Sequence, residues 1–322
     1  MTALGTELGQ GALSRTTTAT GEPGPSARGR QASRAWLLML PFLVLYVVFI
    51  VVPAVSIVLK SFASQSTQGI EILNPANWGG IHFTLDNYGE LLGDDYIRGM
   101  IGNTVLIAAI AVVATTVVGT LIAYELGRGK GRFAAAVRWI ISLPVYLPSI
   151  VIAFSLLLFL GPNGLLNAAV RPIFGTGIDL IYSSTAVTLG TMVVLLPIHI
   201  RVVAAAIENI PANLIEASAS LGAGELRTLV SVVIPMARAS ILAALILNFA
   251  FAVGMVEIAL IVGGGGLKVP YLPVEILQRT TSFNPDVSET SAMSTILIVI
   301  ALLGQAISMI IIKRSSRGGV SQ

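Results

Sequence analysis

Residues Glu216–Pro235, EASASLGAGELRTLVSVVIP, are a long polar interruption between apolar stretches. Around its start, apolar residues recur at alternating steps of three and four. They are Ile207, Ile210, Leu214, Ala217 and Leu221. This spacing predicts one apolar stripe of a helix, with the polar residues on its other faces. The stretch therefore predicts a surface helix between two longer apolar elements.

The residues after this helix predict a turn and then a second helix. The tetrapeptide 221–224, LGAG, contains two glycines, and glycine adopts the left-handed conformation that closes a helix C-terminus. A short second helix is predicted from about Glu225, because its carboxylate favours the positive end of the helix dipole. Pro235 is predicted to break that helix just before the next apolar stretch. The segment of about 207–235 is thus predicted to be a helix-turn-helix.

The composition is that of a polytopic membrane protein. The chain has 322 residues, of which 55% are hydrophobic and 11% charged, with a mean hydropathy of +0.86. Soluble domains carry about 25% charged residues. The chain has no cysteine, which excludes disulfides and thiolate metal sites.

Six apolar runs are each close to the ~20 residues that a helix needs to cross ~30 Å of hydrocarbon. These runs are at about 35–59, 99–124, 136–160, 181–203, 239–262 and 291–312. The first is longer than the roughly 7–15 apolar residues of a signal peptide, so we expect an uncleaved span. The predicted fold class is an all-α membrane protein with six transmembrane helices in a permease domain at 35–314. Residues 1–34 are predicted to be a disordered basic lead, and 315–322 a short tail.

The positions of Lys and Arg predict the orientation. Most of the 19 lie in the lead, around the segments that follow the second and fourth spans, and after the sixth span. The positive-inside rule places these segments on the cytoplasmic side. Both termini and the 207–235 segment are therefore predicted to be cytoplasmic.

The polar segment resembles a loop of importer permeases of the ATP-binding cassette (ABC) class. That family carries the pattern E-A-A-x3-G-x9-I-x-L-P between two late membrane spans. The residues at matching positions are Glu216, Ala217, Ser218, Gly222, Val232, Ile234 and Pro235. The chain departs from the pattern with Ser for the second Ala, Val for Ile and Ile for Leu.

In that family the loop docks into a groove of the ATPase subunit, and the resemblance implies this coupling role for residues 207–235. The implied ATPase-coupling residues are Glu216, Ala217, Ser218, Leu221, Gly222, Ala223, Ile234 and Pro235. The implied partners are two ATPase subunits, a second permease subunit that is identical or paralogous, and an extracytoplasmic solute-binding protein. The implied location is the prokaryotic inner membrane, with no nucleic-acid partner.

Motifs for energy conversion or catalysis are missing from the sequence. It contains no G-x4-G-K-[ST] phosphate loop, no evident metal-ligand spacing and no evident nucleophile–base set. We therefore predict that the chain is not an enzyme and holds no cofactor, and that ATP and Mg²⁺ bind to the partner ATPase. An ion-coupled secondary transporter is the alternative, but it calls for ionisable groups near the midplane and for repeats with broken helices.

Other stretches resemble the spermidine/putrescine and iron(III) branch of these permeases. They include FTLDNYGELL at 83–92 and FAVGMVEIALIVGGGG at 251–266, and the resemblance covers most of residues 83–312. It implies import of a small solute, with a polyamine as the first expectation. Iron(III), an organophosphonate or a sugar stay open, because specificity in this class resides largely in the binding protein.

Three polar residues in or next to the predicted spans are candidates for the translocation path. Glu257 is the one acid within a span, where a carboxylate near the helix centre costs roughly 2.5–3.5 kcal/mol. It is interpreted either as a wall of the path or as a partner of a neighbouring helix. Asn248 and Asn103 are predicted to form interhelical hydrogen bonds.

Three prolines and one histidine complete the unusual residues of the spans. Pro144 and Pro148 in the third span and Pro197 in the fourth are predicted to kink or unwind their helices. His199 is interpreted as a packing residue in preference to a proton relay.

Overall fold

The structure is a computed structural model. It describes residues 39–64, 82–129, 131–283 and 285–317. The chain forms two compact units, residues 1–54 and 55–322. The predicted lead at 1–34 and the end of the predicted tail lie outside the described residues. In the first unit the described residues are helical and include a π-helical turn at Val47–Val51.

The described residues are helical apart from loops and one isolated antiparallel bridge between Ala63 and Phe83. The helices are α1 (Met39–Lys60), α2 (Asp86–Gly93), α3 (Asp95–Arg128), α4 (Arg132–Tyr146), α5 (Ser149–Leu160), α6 (Leu165–Phe174), α7 (Ser184–Glu208), α8 (Ala212–Ser220), α9 (Glu225–Val253), α10 (Val256–Ile261), α11 (Leu272–Thr280) and α12 (Val287–Arg317). This architecture confirms the predicted all-α class.

Within the described residues, six helical stretches are long and apolar enough to cross a membrane, which confirms the predicted number. They are Met39–Lys60, Asp95–Arg128, Ser149–Phe174, Ser184–Glu208, Glu225–Val253 and Val287–Ile307. The third stretch contains both α5 and α6, which are joined through a turn at 161–164.

The centre of the second unit is the contact between α3 and α7, and α9 packs against both. Gly119, Ala123 and Gly127 recur at every fourth position of α3, and Ala123 is fully buried. A Cβ added at Gly119 would lie 2.8 Å from Cδ2 of His199, and one at Gly127 would lie 2.9 Å from Cγ2 of Ile207. Small residues at this spacing let membrane helices approach closely. Because Gly119 and Gly127 have no side chain, α3 can lie this close to α7.

The predicted third span, 136–160, is two helices, α4 and α5. Leu147 is extended (φ −96°, ψ 137°), and Pro148 follows with φ −56° and ψ 138°. The helix stops here because Pro148 has no N–H and disfavours a helical conformation in the residue before it. Pro144 lies in the last turn of α4. Pro197, in contrast, lies inside α7, which is helical throughout, so unwinding is not observed there.

The predicted fifth span, 239–262, differs from the structure at both ends. Helix α9 begins earlier, at Glu225, passes through a π-helical turn at Leu229–Val233 and continues through Pro235. The prediction that Pro235 breaks a separate short helix is therefore wrong. The π-helical turn includes position 231, four residues before Pro235, whose carbonyl would otherwise bond to the N–H that proline lacks. At the other end α9 stops at Val253, and α10 follows after a two-residue break.

Candidate functional site

The polar segment between α7 and α9 consists of one exposed helix, α8, flanked by two turns. The predicted single stripe over 207–221 crosses a helix end, because α7 stops before α8 begins. Asn209 follows the last residue of α7, and its Nδ2 donates to the carbonyl of Ala205 (2.7 Å). Pro211, which has no N–H, directly precedes α8. The apolar residues of the stripe therefore belong to two helices and the turn between them.

The turn after α8 is closed by a left-handed glycine. Gly222 has φ +79°, as predicted from the sequence. The N–H of Gly222 donates to the carbonyl of Ala219 (2.9 Å), and the N–H of Ala223 donates to the carbonyl of Ser218 (3.1 Å). This pair of bonds is the Schellman pattern that satisfies the last carbonyls of a helix. The backbone therefore fixes the direction in which the chain leaves α8.

A side-chain contact joins the two arms of this turn. The hydroxyl of Ser218 lies 3.0 Å from the hydroxyl of Thr228 in the first turns of α9. Ser218 is partly buried, and Thr228 is only 3% exposed. Ser218 is the residue that replaces the second Ala of the family pattern, so this chain adds a hydrogen bond where the pattern has a methyl group.

The outer surface of the segment is exposed and partly apolar. Helix α8 has no buried residue, and Glu216 and Ala217 are exposed. Leu221 at the turn is 88% exposed, Leu226 is 70% exposed and Leu214 is 41% exposed. Exposed apolar side chains bordered by polar ones are typical of a surface that binds a partner.

The base of the segment is anchored in the helix bundle. Leu229 and Val233, in the π-helical turn of α9, belong to a buried apolar cluster with residues of α3 and α7. Ile215 and Ile234 are partly buried and pack against this cluster, whereas Pro235 is exposed. The implied coupling residues thus divide into two groups. Residues 216–223 form a largely exposed tip, and residues 229–235 form a base that is anchored in the bundle.

One candidate for the path, Asn248, lies in a buried polar contact between three helices. Nδ2 of Asn248 is 3.5 Å from Nδ1 of His199, and Nε2 of His199 is 3.1 Å from Oγ1 of Thr120. Asn248 and His199 are fully buried. The contact bears out the predicted interhelical role of Asn248 and agrees with the packing interpretation of His199.

The other two candidates have different surroundings. Nδ2 of Asn103 donates to the carbonyl of Pro270, just before α11 (2.8 Å). Glu257 is partly buried in the first turn of α10, directly after the break that ends α9. The role of all three residues in a path remains a prediction.

Several residues of the site were not identified from the sequence, among them Leu226 and Thr228. Leu226 is exposed, and its place between the charged residues Glu225 and Arg227 could have indicated this from the sequence. The partner of Ser218, Thr228, is ten residues away, and only the angle of the turn brings the two hydroxyls together.

A bundle of apolar helices with an exposed helix-turn-helix between two late spans defines a permease of the ABC importer class. Over residues 115–318 the chain matches the family described as "Binding-protein-dependent transport system inner membrane component". The match covers more than half of the chain, and the protein belongs to this family. It is a multi-pass permease subunit of the bacterial inner membrane.

Similar proteins support this assignment. The chain is 29% identical over 227 residues to the probable transport system permease protein NifC of Clostridium pasteurianum, covering 70% of this chain and 76% of the relative. It is 27% identical over 220 residues to the spermidine/putrescine transport system permease protein PotB of Escherichia coli K12, covering 68% and 77%. A bacterial ABC transporter involved in the import of the acidic polysaccharide alginate has the same fold. It matches with a TM-score of 0.72 at 15% identity, over 92% of this chain and 100% of that chain. A bacterial alginate ABC transporter has also been solved in complex with an alginate pentasaccharide-bound periplasmic protein.

Proposed function

We propose that this permease subunit imports a small solute delivered by an extracytoplasmic binding protein, and that partner ATPases drive it through the segment Glu216–Pro235. The observation that carries the proposal is the construction of this segment. Its exposed tip is joined to the membrane helices by the Gly222 turn and by the contact between Ser218 and Thr228. A surface that must transmit force to the bundle has to be both accessible and stiff.

The path of transmission follows from the continuity of α9. Four residues separate this helix from Ser220, the last residue of α8, and it has 29 residues, a length of about 43 Å at 1.5 Å per residue. A displacement of the tip therefore moves a helix that extends across the bundle. On the other side of α8, three residues separate it from α7. Pressure on α8 thus acts on two membrane helices together.

The assembly that we propose contains two permease subunits, identical or paralogous, and an ATPase beneath each Glu216–Pro235 segment. ATP and Mg²⁺ belong to the ATPases, and this chain contributes no cofactor site to the cycle. Closure of the ATPases presses the two segments together and opens the bundles toward the binding protein. This scheme requires both termini and the segment to be cytoplasmic, as the distribution of Lys and Arg predicts.

A polyamine is the first substrate that we propose. The support is the similarity to PotB, whose name specifies spermidine and putrescine, together with the partly buried carboxylate of Glu257. Iron(III), an organophosphonate and a sugar are the alternatives. The test is a thermal-shift titration of the cognate binding protein with a polyamine, iron(III), an organophosphonate and a sugar. We expect spermidine or putrescine to raise its melting temperature. If only another of these compounds raises it, that compound's class becomes the proposed substrate.

The proposed energy source is tested by reconstitution. The chain is purified with its cognate ATPase and permease partner, placed in liposomes and supplied with the loaded binding protein. We expect uptake that requires both ATP hydrolysis and the binding protein. Uptake that follows a proton or sodium gradient without ATP would contradict the proposal and favour the secondary transporter.

A further inference from the structure

Helix α4 is held to the rest of the unit by few contacts. None of its 15 residues is buried. Backbone breaks flank it, with Gly131 at φ +105° before it and the Leu147–Pro148 pair after it. Only its partly buried residues Val137 and Ile141 pack against the buried cluster of α3, α7 and α9. Among the described helices, α4 is therefore one that can shift without opening a packed core.

One side chain of α4, Arg138, makes polar contacts with the ends of two other helices. Its guanidinium donates to the carbonyl of Leu126 in the last turn of α3, and it lies 3.4 Å from the carbonyl of Gly129. Its Nη1 is 2.9 Å from Oε1 of Glu208, the last residue of α7. A guanidinium has five donors in a fixed plane and suits the free carbonyls at a helix C-terminus. Arg138 thus ties α4 to the ends of both central helices.

Glu208 lies close in sequence to the Glu216–Pro235 segment. Glu208 is followed by a three-residue turn and then by α8, so the ion pair is formed at the root of the Glu216–Pro235 segment. Next to it is a half-open cavity of about 360 Å³. Its lining includes Leu126, Arg138, Ile141, Ser142, Ile200 and Glu208. The cavity leaves room for α4 to change its position relative to α3 and α7.

We propose that Arg138 is a positioning residue of the transport cycle, which transmits movement of the Glu216–Pro235 segment to α4 through Glu208. The inference rests on the proposed coupling function of that segment. Both side chains of the pair are 45% exposed, and exposed ion pairs add little to stability. The pair is therefore suited to break and re-form between conformations. Its role is in coupling, and the fold does not depend on it.

The test uses the full reconstituted complex with ATPases and loaded binding protein. Three variants are compared with the wild type: Arg138→Gln, Arg138→Lys and Glu208→Gln. The matched control is Arg132→Gln, because Arg132 is exposed on the same helix and its side chain has no hydrogen bond or ion pair with the described residues. The readout is solute taken up per ATP hydrolysed, measured beside complex assembly and basal ATPase activity.

We expect Arg138→Gln and Glu208→Gln each to lower this ratio by about fivefold or more, the lower end of typical coupling effects. A double Arg138→Gln/Glu208→Gln variant should be no worse than Arg138→Gln alone, because Arg138→Gln already removes the ion pair with Glu208. Arg138→Lys should retain part of the ratio, since an ammonium keeps the charge but not the planar donors. The control should match the wild type.

The outcomes separate this inference from the proposed function. A wild-type complex without ATP-dependent uptake would overturn the proposed function. A coupled wild type with an equally coupled Glu208→Gln variant would overturn only the role of Arg138. If Arg138→Gln fails to assemble, Glu208→Gln still decides, because it removes the ion pair and leaves the carbonyl contacts of Arg138 in place.

Discussion

The chain segments on the two sides of α9 are constructed in different ways. Before α9, residues 209–224 contain α8, which has no buried residue. Backbone hydrogen bonds, one hydroxyl contact and the partly buried Ile215 hold this segment. After the α9–α10 break, residues 262–283 contain α11, in which Leu272 and Val274 are fully buried. The N–H of Leu272 donates to Oγ1 of Thr104 on α3 (2.9 Å). The first segment lies on the bundle, whereas the second is part of its core.

Charged and phenolic groups strengthen the second segment. Arg279 on α11 pairs with Glu275 (2.7 Å) and with Glu289 of α12. Burial alone would lower the pKa of Arg279, but the two carboxylates outweigh it and raise this pKa. The hydroxyl of Tyr271 donates to the carbonyl of Ala252 (2.8 Å), and burial raises the pKa of Tyr271. These contacts fix α11 between α9 and α12.

Under the proposed function, the first segment receives movement from the ATPases and the second resists it. A segment whose order comes from its own backbone can bind a partner without disturbing the core. A segment with buried anchors and ion pairs serves as a fixed point. Substitutions in the first should therefore change coupling, and substitutions in the second should change stability.

The largest effect is expected for Gly222→Val. A β-branched residue at φ +79° costs about 1–2 kcal/mol or more in the left-handed region. A Cβ there would meet nothing within 4 Å, so the cost is one of backbone conformation and not of packing. We expect uptake to fall by at least about tenfold, since ~1.4 kcal/mol is a factor of ten, with normal membrane insertion.

The matched control is Gly224→Ala. Gly224 has φ −68° and ψ 168°, which any residue adopts, and an added Cβ would also meet nothing within 4 Å. It should transport like the wild type. Uptake is measured in liposomes and insertion by protease accessibility. Wild-type uptake by Gly222→Val would remove the rigid turn from the mechanism.

The second largest effect concerns the segment after α9. Thr104→Val leaves the buried N–H of Leu272 without its acceptor, which costs about 1–3 kcal/mol. Thr116→Val is the control on the same helix, because the Thr116 hydroxyl donates only to the carbonyl of Val112, one turn earlier in α3. Thermal unfolding of the purified complex should show a lower midpoint for Thr104→Val alone. Uncoupled transport by this variant at unchanged stability would contradict the division between the two segments.

Ser218→Ala is expected to have a smaller effect. It removes the contact with Thr228 and introduces the alanine of the family pattern, so the turn itself is kept. Losing one such hydrogen bond costs about 0.5–1.5 kcal/mol, and we expect coupled uptake to fall roughly two- to fivefold. Ser220→Ala is the control, because the Ser220 hydroxyl bonds only to the carbonyl of Glu216. Equal uptake by both variants would show that the backbone turn alone supplies the stiffness.

Local chemistry explains what could be predicted from the sequence. Hydropathy identified six helices because each needs a continuous apolar run. The turn at Gly222 was predictable because glycine tolerates positive φ. The uninterrupted helix at Pro235 was not predictable, because it depends on a π-helical turn that has no residue signature here.

Contacts distant in sequence account for the rest. Arg138 and Glu208 are 70 positions apart, and in the sequence each alone has the pattern of an ordinary charge near the end of a predicted span. Their pairing requires the α3–α7 contact, which depends on glycines whose neighbours are known only in the fold. The break after Val253 likewise separates Glu257 from the helix to which its apolar run assigned it.

The smallest effect is expected for Glu257→Gln, which tests whether α10, the short helix directly after the α9–α10 break, contacts solute. Glu257 is partly buried, and an attraction between partly exposed charges is worth about 0–1 kcal/mol. If it meets a cationic solute, the apparent KM for uptake should rise about two- to fivefold while ATPase stimulation is unchanged. Glu90→Gln, at an exposed acid on α2, is the control and should leave KM unaltered. Identical uptake kinetics for both variants between about pH 6 and 8 would exclude Glu257 from the path, because loss of a solute-facing carboxylate must weaken attraction for a cation.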